Sequence, residues 1–128
     1  MEKTSLNSGE KMILLAQGSL QLGASWKPGH FFLTNRRLYF IQVSNKILFE
    51  VSLDEITGMS IAKRSWLLGV RVKQLCIAYS ANLETEQVNI TLAEPKKWVE
   101  AIKESMTLML AERWSYNGAN PELPGNTE

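Results

Sequence analysis

The 128 residues give one domain's length of chain, long enough for a core of its own, and a 45% hydrophobic share argues for a globular fold over a disordered one. Fourteen basic against thirteen acidic residues leave a formal charge of +1, which removes any whole-molecule case for nucleic acid or an anionic membrane and leaves only local patches. One cysteine, Cys76, cannot form an internal disulfide, one histidine, His30, cannot build a metal site with it, and both counts fit a reducing cytoplasm.

Residues 1–9 form a polar lead without the apolar stretch of a signal peptide, and flexibility is expected there. No run approaches the ~18 uninterrupted apolar residues of a membrane span, so any membrane contact would be peripheral. Met12, Leu14, Ala16, Gly18, Leu20 and Leu22 then hold every even position, a period-two pattern that marks a long strand with its even face buried. Gly18 has no side chain to pack, which predicts a bend or bulge at that point. Residues 23–28, with Gly23 and Pro28 as punctuation, read as the first loop.

The centre of the sequence is the hairpin Gly29-His30-Phe31-Phe32-Leu33-Thr34-Asn35-Arg36-Arg37-Leu38-Tyr39-Phe40-Ile41. Its aromatic and β-branched runs suit a pleated, half-buried surface, and Asn35 is the natural residue for a left-handed turn position. A turn at Ser44-Asn45 leads to a fourth strand with Ile47, Phe49 and Val51 on one face. Loops this short join antiparallel neighbours, so strands two to four read as a meander. A fifth strand is expected over about residues 56–63 and a sixth over 70–79. The sixth changes parity between Val72 and Leu75, which fits either a bulge near Lys73-Gln74 or a second half covered on both faces. A seventh strand alternates Val88, Ile90 and Leu92 with polar residues.

The period changes at Glu94-Pro95, where a proline in the first turn loses no intrahelical bond. Trp98, Ile102, Met106 and Met109, with Val99 and Leu110 beside them, form an apolar stripe at helical spacing, and the helix is expected to end near Arg113-Trp114. The fold class is thus all-β with one capping helix: seven antiparallel strands in a split barrel or sandwich, closed by a C-terminal α-helix. The expected division is a lead over 1–9, a domain over 10–114 and a disordered tail over 115–128.

This order resembles the pleckstrin-homology-like barrel, and in detail its GRAM branch. The likeness rests on the Gly29 to Phe40 hairpin with its Leu-Thr-Asn turn, on Val51-Ser52-Leu53-Asp54-Glu55-Ile56 before the fifth strand, and on Pro95, Trp98 and Ile102 in the helix. It implies a split barrel stoppered by that helix, and a function in binding membranes, phosphoinositides or proteins without catalysis. Lipid-binding pleckstrin-homology domains gather basic residues on the first loop, where this sequence offers only Lys27.

Two local constellations carry the functional readings. Lys63, Arg64, Trp66, Leu67, Leu68, Arg71 and Lys73 place an apolar tip between four cations, the make-up of a peripheral membrane contact, where each Lys or Arg adds about 1 kcal/mol against an anionic leaflet. The same Trp-Leu-Leu tip equally suits packing on the core or self-association. Trp26, Lys27 and His30 lie around the first loop, and Arg36 with Arg37 could neutralise a phosphate from the central turn, although a solvated hairpin end is the normal state of such cations. Leu108, Leu110 and Trp114, beyond the capping stripe, offer a dimer or partner surface, while Cys76 reads as a small buried apolar residue.

For catalysis the inventory is poor. The one histidine sits among aromatics, and Asp54-Glu55 are adjacent and point apart. No glycine-rich phosphate loop opens a helix, and no concentrated basic stripe faces nucleic acid. The expectation is a cytoplasmic, non-catalytic binding module without cofactor or metal. It would mediate protein interaction or self-association, with anionic phospholipid at a membrane surface as the alternative.

Overall fold

Period-two alternation builds seven strands and a three- and four-residue apolar spacing builds one helix, which the computed structural model describes over residues 6–42, 46–65 and 71–117, with backbone alone for residues 64, 65, 71, 72 and 114–117. The strands are β1 Met12–Leu22, β2 Ser25–Thr34, β3 Arg37–Gln42, β4 Ile47–Ser52, β5 Ile56–Ser65, β6 Arg71–Ala81 and β7 Glu84–Leu92. A 3₁₀ turn, Leu53–Glu55, joins β4 to β5, and α1 spans Pro95–Asn117. All seven strands form one antiparallel sheet in the order β4-β3-β2-β1-β7-β6-β5, left open between β4 and β5.

A sheet this long curls until its inner face closes on itself, and the side chains that alternate inward fill the space. Leu20, Phe31, Leu33, Leu38, Phe40, Leu75, Ile77 and Ile90 are fully buried and form one cluster with Leu53 of the 3₁₀ turn and Trp98 and Ile102 of α1. Phe32 and Tyr39 face the other side of β2 and β3, where their rings stack at 5.0 Å. The helix thus stoppers one end of the barrel, as its stripe predicts. It continues to Asn117, past the expected end near Trp114.

Several local expectations come out differently. The β1–β2 register runs unbroken through Gly18, and its irregularity lies between Met12 and Leu14. Gly18 instead marks the place where β1 begins to pair with β7 as well. A Cβ there would sit 2.3 Å from the Thr91 carbonyl oxygen and 2.8 Å from the Phe31 ring, so the absent side chain makes room for β7 and for that ring, and no bulge forms. The first loop shrinks to Gly23 and Ala24, because Trp26, Lys27 and Pro28 continue β2 opposite Gln21, Leu20 and Ser19. Proline is tolerated there since β2 pairs with β3 only from Gly29 onward.

No bulge interrupts β6 near Lys73-Gln74, whose pairing with β5 is continuous from Ala78 to Arg71. Leu75 and Ile77 face the core while Gln74 is buried on the opposite face, so the parity change reflects cover on both sides. Leu110 does not complete the buried stripe of α1, and it remains half exposed. Residues 66–70 and the Ser44-Asn45 turn lie outside the described residues.

Candidate binding surfaces

Because neighbouring strands alternate in direction, the β1–β2, β3–β4 and β6–β7 connections share one end of the barrel. The β2–β3 and β5–β6 connections share the other. This geometry separates the residues that sequence reasoning singled out. Trp26 and Lys27, both half-buried, belong to the first end. Arg36, Lys63, Arg64, Arg71 and Lys73 belong to the second. Trp66, Leu67 and Leu68 lie outside the described residues.

On the β5–β6 hairpin the register sets Lys63 directly opposite Lys73, Arg64 opposite Val72 and Ser65 opposite Arg71. Lys63 and Lys73 are both exposed and share the strand face that carries Leu75 further in. Like charges directly opposed across an antiparallel pair are destabilising, so this pair is a positive feature that the core does not require.

The central turn is constructed from a threonine. The Thr34 hydroxyl accepts hydrogen bonds from the Arg36 and Arg37 amides at 3.0 and 3.1 Å and donates to Glu10 Oε2 at 2.7 Å. Asn35 is not among the residues of positive φ, contrary to expectation. Its side chain reaches across to the N-terminal segment, accepting from the Lys11 amide at 2.8 Å and donating to the Gly9 carbonyl at 3.2 Å.

Arg37 is no solvated hairpin cation. Its Nε donates to Glu10 Oε2 at 2.8 Å, its Nη1 to Glu50 at 3.0 Å, and its guanidinium lies 4.5 Å from the centre of the Tyr39 ring. The Glu10 side chain is wholly shielded from solvent. Burial by itself pushes that carboxyl up, but hydrogen bonds from Arg37, Thr34 and the Asn7 amide outweigh it and hold the group below the ordinary glutamate range. The bond to Glu10 raises Arg37 in turn. Arg36 alone of the two arginines is left exposed. Sequence reasoning missed Glu10 because it stands among polar residues just ahead of β1, 24 residues from Thr34.

A groove runs between the 3₁₀ turn and the outer half of α1. Leu53, Met106, Met109 and Leu110 supply apolar walls around about 210 Å³, and Asp54 and Arg113 close the rim with a 2.7 Å ion pair. The helical members sit at three- and four-residue spacing, so one face of α1 lines the groove. Leu108 and Leu110 are exposed, whereas the Trp114 side chain lies outside the described residues.

Among the described residues, no three of His, Cys, Asp and Glu converge where a metal could be held, and no helix is long and apolar enough to cross a membrane. His30 lies within β2, its ring tilted 6.5 Å from Phe32. Cys76 is half-buried, and its sulfur accepts from Gln74 at 3.3 Å.

No protein-family model matches the chain, and no curated protein matches it in sequence. Solved structures do. The Vps36 N-terminal PH domain superposes with a TM-score of 0.60 at 20% sequence identity, covering 84% of this chain and 86% of that one. The hSac2 domain from human phosphoinositide phosphatase Sac2 gives 0.55 at 13% identity, covering 96% and 82%. A chain from the crystal structure of human RhoA in complex with the DH/PH fragment of PDZRHOGEF gives 0.56 at 17% identity, covering 78% of this chain and 30% of that one. The open seven-stranded sheet with its single terminal helix is therefore a pleckstrin-homology-like fold.

Proposed function

We propose that the chain is a non-catalytic binding module of the GRAM type that mediates protein interaction or assembly. Its structural neighbours come from both settings, a protein complex with RhoA and a phosphoinositide phosphatase, so the choice rests on this chain's own surface. The observation that carries the reading is the groove beside α1. The barrel interior is filled by core side chains, whereas this groove is open, apolar and edged by one acid and one base. It fits a short peptide that inserts an apolar side chain over Leu53 and Met106 and sets polar groups against Asp54 and Arg113.

Selection of a displayed random-peptide library on the full chain tests this. Enriched peptides should carry an apolar anchor, and their binding should fall at least about tenfold in Leu110→Asp, a half-exposed position whose change leaves the core intact. No enrichment, or binding indifferent to Leu110→Asp, would sink the reading.

The opposed Lys63 and Lys73 support a second reading in which anionic headgroups relieve the repulsion. Co-sedimentation with phosphatidylcholine vesicles of rising phosphatidylserine content separates the two. Under the protein reading the chain stays in the supernatant at low salt. Pelleting that grows with phosphatidylserine and vanishes in Lys63→Glu plus Lys73→Glu would favour the membrane.

A further inference from the structure

An antiparallel sheet that does not close leaves two edges, and natural edges carry devices against pairing with another strand. The β4 edge has them. It is six residues long, its register breaks between Phe40 and Ile41, and Glu50 stands in its middle, bound to Arg37. The β5 edge is different. Its only irregularity lies between Ile56 and Gly58, and from Gly58 to Ala62 the residues are Gly, Met, Ser, Ile and Ala, with no charge and no proline. Gly58, Ser60, Ile61 and Ala62 are all exposed. Among the described residues, no strand or loop hydrogen-bonds to the outer side of β5.

The charges at the two ends of this strand identify the occupant. Asp54 and Glu55 precede it, and Lys63 and Arg64 follow its uncharged middle. Two copies paired antiparallel about a twofold axis near Ser60 bring the basic end of each alongside the acidic start of the other. A parallel pairing would set like charge beside like. Asp54 is already paired with Arg113, so the complement falls chiefly on Glu55, an exposed carboxylate that accepts only the Ser52 amide at 3.2 Å among the bonds described. Side chains of a strand stand above and below the sheet, so the uncharged β5 edge offers its backbone to a second strand at ladder distance. We infer that the free β5 edge is a self-association surface, on which a second copy of this chain pairs strand to strand in an isologous dimer. It goes beyond the groove reading and does not depend on it.

Sedimentation equilibrium of the full chain over a wide concentration range reads the prediction. The wild type should pass from monomer to dimer as concentration rises. Ser60→Lys, which puts like charges near the twofold, should weaken the dimer by at least about tenfold. Lys63→Glu and Glu55→Lys should each weaken it, and the two together should restore it, since the swapped charges again meet their opposites. Amide hydrogen exchange on the unaltered protein gives a second reading, in which residues 58–62 gain protection with concentration. A wild type that is monomeric throughout, a dimer indifferent to Ser60→Lys, or a double charge swap no better than its parents overturns the inference. Leu110→Asp, which disables the groove, should leave the dimer unchanged, so the two readings fail separately.

Discussion

Trp98→Ala is expected to remove about 4 kcal/mol of stability, because truncating a buried tryptophan loses its transfer free energy and leaves a cavity. Trp98 is 3% exposed and belongs to the same cluster as Leu53, Phe40 and Ile77. The argument for so large an effect is in how the helix is attached. Few helices of this kind stand alone in water, and most of their stability comes from packing an apolar face. Apart from the chain connection at Glu94, whose carbonyl accepts from the Lys97 and Trp98 amides, α1 is fastened to the barrel by side chains: Trp98, Ile102 and, less deeply, Met106 and Met109. Removing the first anchor leaves the open end of the barrel exposed and the helix held by its outer turns. Urea unfolding followed by far-ultraviolet circular dichroism checks this. A loss below about 1 kcal/mol, the size of a surface change, would mean that the helix is an appendage and not a stopper.

The parts of this fold that were legible in the sequence are those fixed by periodicity. The strand from Met12 to Leu22 and the alternation from Val88 to Leu92 follow from which residues can face a core, although Met12 and Leu22 at the two ends of the even face stay exposed, and the change of period at Pro95 follows from helix geometry. Features set by distant contacts were not legible. A glycine in a strand announces only missing bulk, so Gly18 suggests a bend or bulge by itself, and the Thr91 carbonyl that needs the space is 73 residues away, by the numbering. Trp26-Lys27-Pro28 suggests a loop because proline usually punctuates, but that rule weakens where a strand has one neighbour instead of two. Asn35 was given a turn role that Thr34 performs, since asparagine serves either as a left-handed hinge or as a side-chain clamp, and its clamped partners, Lys11 and Gly9, lie far back in the chain. On the candidate surfaces, Lys63 and Lys73 were recognised as cations, yet only the register shows them opposed, and the Asp54–Arg113 rim joins residues from elements that local pattern does not connect.

Glu10 carries the second large effect. Its carboxylate satisfies Thr34, the Asn7 amide and two nitrogens of Arg37 at once, and Arg37 is itself only 12% exposed at the side chain. Glu10→Ala should therefore cost about 3 kcal/mol at neutral pH, the lower end of the penalty for stranding one partner of a buried ion pair, because Glu50 still accepts from Arg37. Pairing the change with Arg37→Met should recover part of the loss, since the stranded charge is then gone. The acid limb tests the same point by a different route. A carboxyl held below its ordinary range in the folded state contributes stability that is present above the unfolded value and is lost as pH falls through the folded one. Wild-type stability should thus decline as pH drops below the ordinary glutamate range, and Glu10→Ala should decline less steeply over that window. Parallel curves for the two proteins would show that the carboxylate is no brace for the turn. The N-terminal segment would then be resting on the hairpin, not clamping it.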